Sequence, residues 1–232
     1  MLKTLVMGLV LLIPQAHDHH PVAADATILS PEARDLLQGF EMQITPARSA
    51  YAALAPSAPV AMQLRVRAAL DQATREFWPD GTAAKLADAD RDALDAIVAE
   101  RVRVIDDANT SYLRGHLPGD GWFRQSRDGE QITSDAWLIA QHSNDMSFQT
   151  AVAARMAPLA VSGEVKGSHF TLIYDRTEMF ARRPQFYGSQ VSCKNGQWQP
   201  VPIRDAATVD VRRHQMGMAP LAEYMKEFSG SC

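Results

Sequence analysis

Residues 134–142 spell Ser-Asp-Ala-Trp-Leu-Ile-Ala-Gln-His, a stretch with almost no polar face when it is wound as an α-helix. A helix that is apolar nearly all round has to be buried over most of its surface. On such a helix Gln141 falls between Trp137 and Leu138, and His142 falls one position further round. The sequence therefore predicts a helical core with an amide and an imidazole directed into packed surroundings.

Helix signals also flank this stretch. Ser30-Pro31 places a serine N-cap before a proline at the first helical position, and Thr45-Pro46 repeats the signal, which predicts a second helix there. A short helix is predicted after the caps Asn109-Thr110-Ser111. Periodic apolar residues predict further helices over 60–78, 88–107, 134–142, 146–162, 168–182, 206–216 and 219–228.

A β-hairpin is predicted near the C-terminus. Asn195-Gly196 separates the extended segments 187–193 and 198–203, and this dipeptide favours the two-residue turn of a hairpin. The predicted fold class is mainly α, a helical domain with a small C-terminal β hairpin.

Composition and the N-terminus bound the class of protein. The 232 residues are 46% hydrophobic and 22% charged, and the net charge of −4 leaves no basic stripe, so we expect no nucleic-acid partner. Lys3 followed by the short apolar run from Leu5 to Ile13 predicts an export signal over residues 1–24. The alternative is an uncleaved N-terminal anchor. We predict an N-terminal helical region over 25–105, a C-terminal domain over 106–232, a periplasmic or secreted location, and no membrane association after signal cleavage.

Two cysteines agree with export. Cys193 and Cys232 are the only two in the chain, and an oxidising compartment favours a disulfide between them. A bridge across this interval would stabilise the fold by about 4 kcal/mol. The alternative is a pair of free thiols.

Metal-binding motifs are sparse. Cleavage after Ala16 would expose an N-terminal His17-Asp18-His19-His20, a nitrogen-rich set suited to Cu(II) or Ni(II), whereas cleavage after Ala24 would remove it. The other isolated histidines, His116, His169 and His214, lack metal-ligand spacing and are expected on the solvated surface. No metal site and no cofactor is assigned.

The helix predicted over 168–182 carries an inward cation. Arg176 projects from the middle of its apolar arc, with Asp175 at the border. A buried guanidinium needs a carboxylate, several carbonyls or a bound anion. The possible carboxylate partners are Asp145, Asp175, Asp205 and Asp210. For Asp145 the simpler role is an N-cap, and for Gln149 an interhelical hydrogen bond.

A polar run leads into the hairpin. Gln185 and Tyr187 share one face of a regular strand while Gln190 lies on the other, and Gly188 could provide a bulge that realigns them. Two roles remain open for this run. Its side chains either hold a substrate or satisfy the backbone of a bent strand.

The ordered set of these motifs resembles an uncharacterised bacterial family, the family of domains of unknown function numbered six-six-two-four. The resemblance covers roughly residues 106–228 and rests on Ala136-Trp137-Leu138, Gln141-His142, Asp145, Phe148-Gln149, Asp175-Arg176, Pro184-Gln185-x-Tyr187-Gly188-x-Gln190, Arg212-Arg213 and Tyr224. The chain departs from the family at Ser143, Ser189 and Arg204. The resemblance implies where a site lies and implies no particular chemistry.

Three functional hypotheses follow. The first is an exported hydrolase or transferase in which His142 is the acid/base, Asp145 or Asp175 orients it, and Arg176 clamps an anionic group. Its substrate-binding residues would be Gln141, Gln185, Tyr187 and Gln190. The second is a module that binds a small polar or anionic ligand, or a peptide, without chemistry. The third is a structural or interaction protein whose polar set is a buried hydrogen-bond network.

Overall fold

The computed structural model describes residues 29–76, 85–228 and 232. The predicted signal segment, the predicted helix end at Trp78 and the N-terminal histidines lie outside the described residues. The chain divides into two compact units, of which the first ends at Arg155 and the second begins at Met156. We describe each unit by itself.

Nine α-helices and one hairpin make up the regular structure of the described residues, as the predicted fold class requires. The helices are α1 (Pro31–Ala52), α2 (Val60–Arg75), α3 (Asp88–Gly115), α4 (Gln125–Asp128), α5 (Glu130–Gln141), α6 (Met146–Val161), α7 (Gly167–Phe180), α8 (Val209–Gln215) and α9 (Leu221–Met225). The antiparallel strands are β1 (Val191–Lys194) and β2 (Gln197–Pro200). Asn195 and Gly196, which connect the two strands, both have positive φ, as the predicted two-residue turn requires.

The first unit is built around α2, which packs against α1, α3 and α5. An apolar cluster joins α1 to the first half of α3, and its fully buried members include Phe40, Ile44 and Leu94. Ser30 caps α1 as predicted, because its hydroxyl accepts a hydrogen bond from the amide of Ala33. Since α2 has neighbours on several sides, polar residues on it are buried wherever they face those neighbours.

Two predicted helix boundaries are wrong. The helix α1 continues through Pro46 because it packs along α2, where Tyr51 in its last turn contacts Arg67, and this packing outweighs the local proline signal. The helix α3 continues through Asn109, whose side chain contacts Arg67 on α2 rather than capping a new helix. Residue 106, where the predicted C-terminal domain begins, therefore lies inside a continuous helix.

The second unit joins α7 to the hairpin and the two short C-terminal helices. Gly167 opens α7 at a close approach of two backbones, since a Cβ there would lie 2.2 Å from the carbonyl oxygen of Met216. Cys193 on β1 is disulfide-bonded to Cys232, which confirms the predicted pairing. The bridge ties the last residue of the chain to the hairpin.

Candidate functional site

His142 lies just after the end of α5, and its imidazole contacts a carboxylate that sequence analysis had not singled out. Its Nδ1 is 2.7 Å from Oδ2 of Asp71 on α2. The two side chains are 5% and 1% exposed. A buried histidine paired with a buried carboxylate is the arrangement that fixes one imidazole tautomer and supports the opposite ring nitrogen as a base.

Arg75 and Asp106 complete the cluster. Arg75 Nη2 is 3.1 Å from Asp71 Oδ1 and also donates to Oδ1 of Asp106 on α3. Its Nε lies 2.9 Å from His142 Nδ1. Two carboxylates, one guanidinium and one imidazole thus meet where α2, α3 and the end of α5 come together, and we call this set the Asp71 cluster.

The hydrogen-bond geometry selects a tautomer for His142. Nδ1 has one in-plane position, so it can donate to Asp71 or accept from Arg75 but cannot do both. An unprotonated Nδ1 would place two acceptors 2.7 Å apart, which is strongly repulsive. Donation to Asp71 is therefore favoured, and in the neutral ring this leaves the lone pair on Nε2.

The two carboxylates have opposite pKa shifts. Burial opposes ionisation of Asp71, but its hydrogen bond with His142 and the nearby charges hold its pKa below the ordinary value. Burial raises the pKa of Asp106 to about 7, against the attraction of Arg75. One acid of the cluster is therefore ionised at neutral pH while the other is poised to exchange a proton.

A helical-wheel signal for Asp71 was present in the sequence. Asp71 follows Leu64 by seven residues on α2, so both point in nearly the same direction, and Leu64 is fully buried. Arg75 is one turn further along the same face. An acid and a base on an apolar helix face predict a buried ion pair, and this pattern lies outside the range 106–228 to which the resemblance was confined.

The neighbours of His142 have structural partners. Gln149 donates to the backbone oxygens of Gln141 (3.2 Å) and Ser143 (2.6 Å), which is the predicted hydrogen bond between helix segments. Asp145 caps α6 as predicted, because its carboxylate accepts from the amide of Phe148 at 2.9 Å. Hydrogen bonds with Ser147, Phe148 and Arg114 lower the pKa of Asp145. The Gln141 side chain is buried at the end of α5.

In the second unit, Asp175 binds backbone rather than an imidazole. Its carboxylate accepts hydrogen bonds from the amides of Phe186 (2.7 Å), Tyr187 (3.0 Å) and Ser189 (2.9 Å). Burial raises the pKa of Asp175 although these bonds favour the ionised form. A carboxylate that accepts hydrogen bonds from three backbone amides of one loop fixes the conformation of that loop.

The glutamines of this loop also bind backbone. The Gln185 amide donates to the carbonyls of Gln190 (2.9 Å) and Val201 (2.7 Å) and accepts from the amide of Gln190. The Gln190 side chain donates to the carbonyl of Leu172 at 3.2 Å. These side chains therefore join the loop from residue 185 to residue 190, which we call the Gln185 loop, to the backbone at Leu172 and Val201.

The carbonyls of the Gln185 loop are held from α8 and α9. Arg212 Nε donates to Phe186 (2.8 Å), Arg213 Nη1 donates to Tyr187 (2.9 Å), and the Tyr224 hydroxyl donates to Ser189 (2.9 Å). Gly188 adopts a φ of 68°, and a Cβ there would meet Ile203 Cδ1 at 3.0 Å. The bend at this glycine thus brings the loop against apolar side chains.

Tyr187 and Arg176 are both buried in the second unit. The Tyr187 ring packs edge-on against Phe186 and Phe170, with centroids 5.0 and 5.9 Å apart. Burial raises the pKa of Tyr187 to about 12. Arg176 is 8% exposed, so it is directed inward as predicted. His142 belongs to the first unit and these two residues belong to the second.

One isolated histidine departs from the sequence expectation. His169 on α7 is buried rather than solvated, and burial lowers its pKa to about 3. His116 and His214 are exposed as expected. Within the described ranges, no set of three or more His, Cys, Asp or Glu side chains is arranged to hold a metal ion. Over the same residues, no helix has the length and apolar character needed to cross a membrane.

Comparison with known proteins yields one match. A family model described as a family of unknown function, DUF6624, matches residues 67–231. This range begins in α2 and includes all four members of the Asp71 cluster as well as the Gln185 loop. No curated protein and no solved structure matches the chain.

Proposed function

Because this chain belongs to DUF6624, a family of unknown function, we propose a chemistry from its own geometry: the His142–Asp71 pair is the acid/base centre of an exported hydrolase or transferase. The observation that carries the proposal is the 2.7 Å contact between His142 Nδ1 and Asp71 Oδ2 inside a buried, charged cluster.

Each member of the Asp71 cluster has a role in this proposal. With Nδ1–H donated to Asp71, Nε2 of His142 takes a proton from a water or a substrate hydroxyl as the nucleophile attacks. Asp71 stabilises the imidazolium that forms, and the charge of Arg75 adds to the effect of His142 in favouring the ionised form of Asp71. The proton then passes from Nε2 to the leaving group, which restores the neutral ring.

The energetics of the cluster favour chemistry over stability alone. Burying two carboxylates, a guanidinium and an imidazole costs more than burying apolar residues of similar size. Environments that push the pKa values of two neighbouring acids apart are typical of acid/base sites. Asp71 and Asp106 differ in this way, with one pKa lowered and the other raised to about 7.

For the Gln185 loop we favour the structural alternative. Asp175, Gln185 and Gln190 form hydrogen bonds with backbone groups of this loop and of the adjacent residues Leu172 and Val201. Such a network specifies one loop conformation, because every alternative would leave buried amides or carbonyls unpaired. Tyr187 and Arg176 are accordingly assigned no step in the reaction.

The proposal is tested by a turnover screen on ester, amide, phosphoester and glycoside substrates. We expect His142→Ala to lower kcat/KM by about 10²–10⁴-fold, and Asp71→Asn to lower it as well by removing the ionised partner of Nδ1. His214→Ala, an exposed histidine of the second unit, is the matched control and should leave turnover unchanged.

Circular dichroism and melting curves establish that each variant is folded. Should His142→Ala unfold, His142→Gln retains side-chain volume and a hydrogen-bond donor without a titratable nitrogen. Wild-type protein that turns over no substrate class, or turnover that survives in both His142 variants, would refute the enzyme. The exported location is tested separately, by sequencing the N-terminus of the protein recovered from outside the cytoplasm.

A further inference from the structure

A second cation lies one helical turn before Asp71, in a setting unlike that of Arg75. The guanidinium carbon of Arg67 lies 5.0 Å from the ring centroid of Tyr51 and 4.1 Å from that of Tyr112. Cation–π contacts with two rings hold the plane of a guanidinium without neutralising its charge. Arg67 is thus positioned before any ligand arrives.

The hydrogen-bond partners of Arg67 are all neutral. Its Nη1 is 3.2 Å from the Tyr51 hydroxyl and 3.4 Å from Oδ1 of Asn109. Among the described residues, no carboxylate lies within 4.0 Å of this guanidinium. Arg75, two turns along the same helix, pairs with two carboxylates. A half-buried guanidinium without a counter-ion attracts an anion.

Two hydrogen-bond donors at the Arg67 guanidinium have no acceptor among the described residues. Arg67 Nε and Asn109 Nδ2 are both shielded from solvent, and neither has a hydrogen-bond partner in the described part of the chain. Asn109 itself is only 3% exposed. Buried polar groups are normally satisfied, so donors left over beside a cation indicate a missing acceptor.

The position of these donors relates them to the Asp71 cluster. Arg67 is one turn from Asp71 on α2, and Asn109 is one turn from Asp106 on α3, which places each pair about 5–6 Å apart. We infer that Arg67 and Asn109 bind a small anionic group, a phosphate or a carboxylate. When this anion is part of the substrate of the proposed enzyme, the bond to be broken lies about one helical turn from the anion, at His142. Only this last placement rests on the proposed function.

The inference is tested by isothermal titration with inorganic phosphate and, in parallel, with acetate. Wild-type protein should bind at least one of them with a Kd on the order of 1 mM. Arg67→Gln should weaken that binding by at least about tenfold. Arg65→Gln is the matched control, because it removes the same charge from an exposed position on the same helix. It should change the Kd less than about twofold. Preference for phosphate or acetate assigns the class of anion.

A second variant guards against unfolding of Arg67→Gln. Asn109→Asp places a carboxylate at 3.4 Å from the guanidinium with no change in shape. This variant should have a higher melting temperature and should not bind the anion, because its new carboxylate takes the place of the bound anion beside Arg67. Absence of binding by the wild type, equal weakening by Arg65→Gln and Arg67→Gln, or anion binding retained in Asn109→Asp would each overturn the inference.

The two proposals fail separately. His142→Ala should bind phosphate or acetate as the wild type does, since His142 is not part of the anion site. If the anion site is confirmed while the turnover screen is negative, the acid/base proposal alone is wrong. If turnover depends on His142 but no anion binds, the inference about Arg67 alone is wrong.

Discussion

At the scale of single residues, Arg75 pairs with two carboxylates that lie in unequal environments. It lies within salt-bridge distance of Asp71 and Asp106, yet Asp71 has a second partner in His142. The carboxylate with two partners is the one whose pKa is lowered. Burial then dominates for Asp106, whose pKa is raised to about 7.

This imbalance predicts a pH dependence of stability. In the unfolded chain an aspartic acid has a pKa of about 4. Between that pH and about 7 the folded protein therefore keeps a proton on Asp106 that the unfolded chain has released. The contribution of Asp106 to the free energy of unfolding should therefore fall by at most about 4 kcal/mol as pH rises from about 4 to about 7, whereas buried His169, whose pKa is lowered to about 3, contributes in the opposite direction.

The variant Asp106→Asn should lack this decline, since the amide does not titrate. Relative to the wild type it should gain stability between pH 5 and pH 8, measured by urea unfolding at intervals across that range. Asp107→Asn, at the exposed neighbouring position, is the control and should keep the wild-type slope. An identical slope in Asp106→Asn and the wild type would show that the Asp106 carboxyl is ionised throughout.

At the scale of elements, sequence patterns located the helices better than their polar partners. The apolar arc of residues 134–142 predicted a buried helix end with an inward His142, and both are present. The Asn195-Gly196 turn fixed the hairpin. Local patterns suffice here because each helix face or turn is specified within a few residues.

The partner of His142 could not be found in the same way. Asp71 is 71 residues away, and only the packing of α2 against α5 brings the two together. The helix boundaries predicted at Pro46 and Asn109 were wrong for the same reason, because tertiary contacts of α1 and α3 override the local signals. The side chains that pair across elements are those that a one-dimensional pattern cannot fix.

The conformation of the Gln185 loop depends on the hydrogen bonds that the Asp175 carboxylate accepts. Asp175→Asn would turn one acceptor oxygen into an NH₂ group that faces backbone amides at 2.7–3.1 Å. We expect a loss of about 3 kcal/mol in the free energy of unfolding, because buried donors are left unpaired. Chemical denaturation measures it.

The control for this variant is Asp205→Asn in the same unit. Asp205 is exposed and has a left-handed φ of 45°, a conformation that asparagine also tolerates. The change there should stay within about 0.5 kcal/mol. Equal effects of the two substitutions would mean that the loop does not depend on the Asp175 carboxylate.

At the scale of the whole molecule, charge is distributed differently in the two units. The first unit buries ionisable side chains against one another, as in the Asp71 cluster. In the second unit Asp175, Arg212 and Arg213 are buried against backbone, and buried Glu178 pairs with the exposed Arg183. Side chains paired with side chains can exchange protons, whereas side chains paired with backbone fix a conformation. This difference is the reason for proposing an acid/base centre in the first unit rather than in the second.

The disulfide should contribute to the second unit alone, because it joins Cys193 and Cys232 across a separation of 39 residues within that unit. Replacing both cysteines by serine frees the unfolded chain, so the free energy of unfolding should fall by about 4 kcal/mol. Hydrogen exchange should accelerate in peptides from the hairpin and α9, and stay unchanged in α2 and α3, which serve as the internal reference. Equal acceleration in both units, or none in the hairpin, would contradict a bridge that stabilises only the unit it closes.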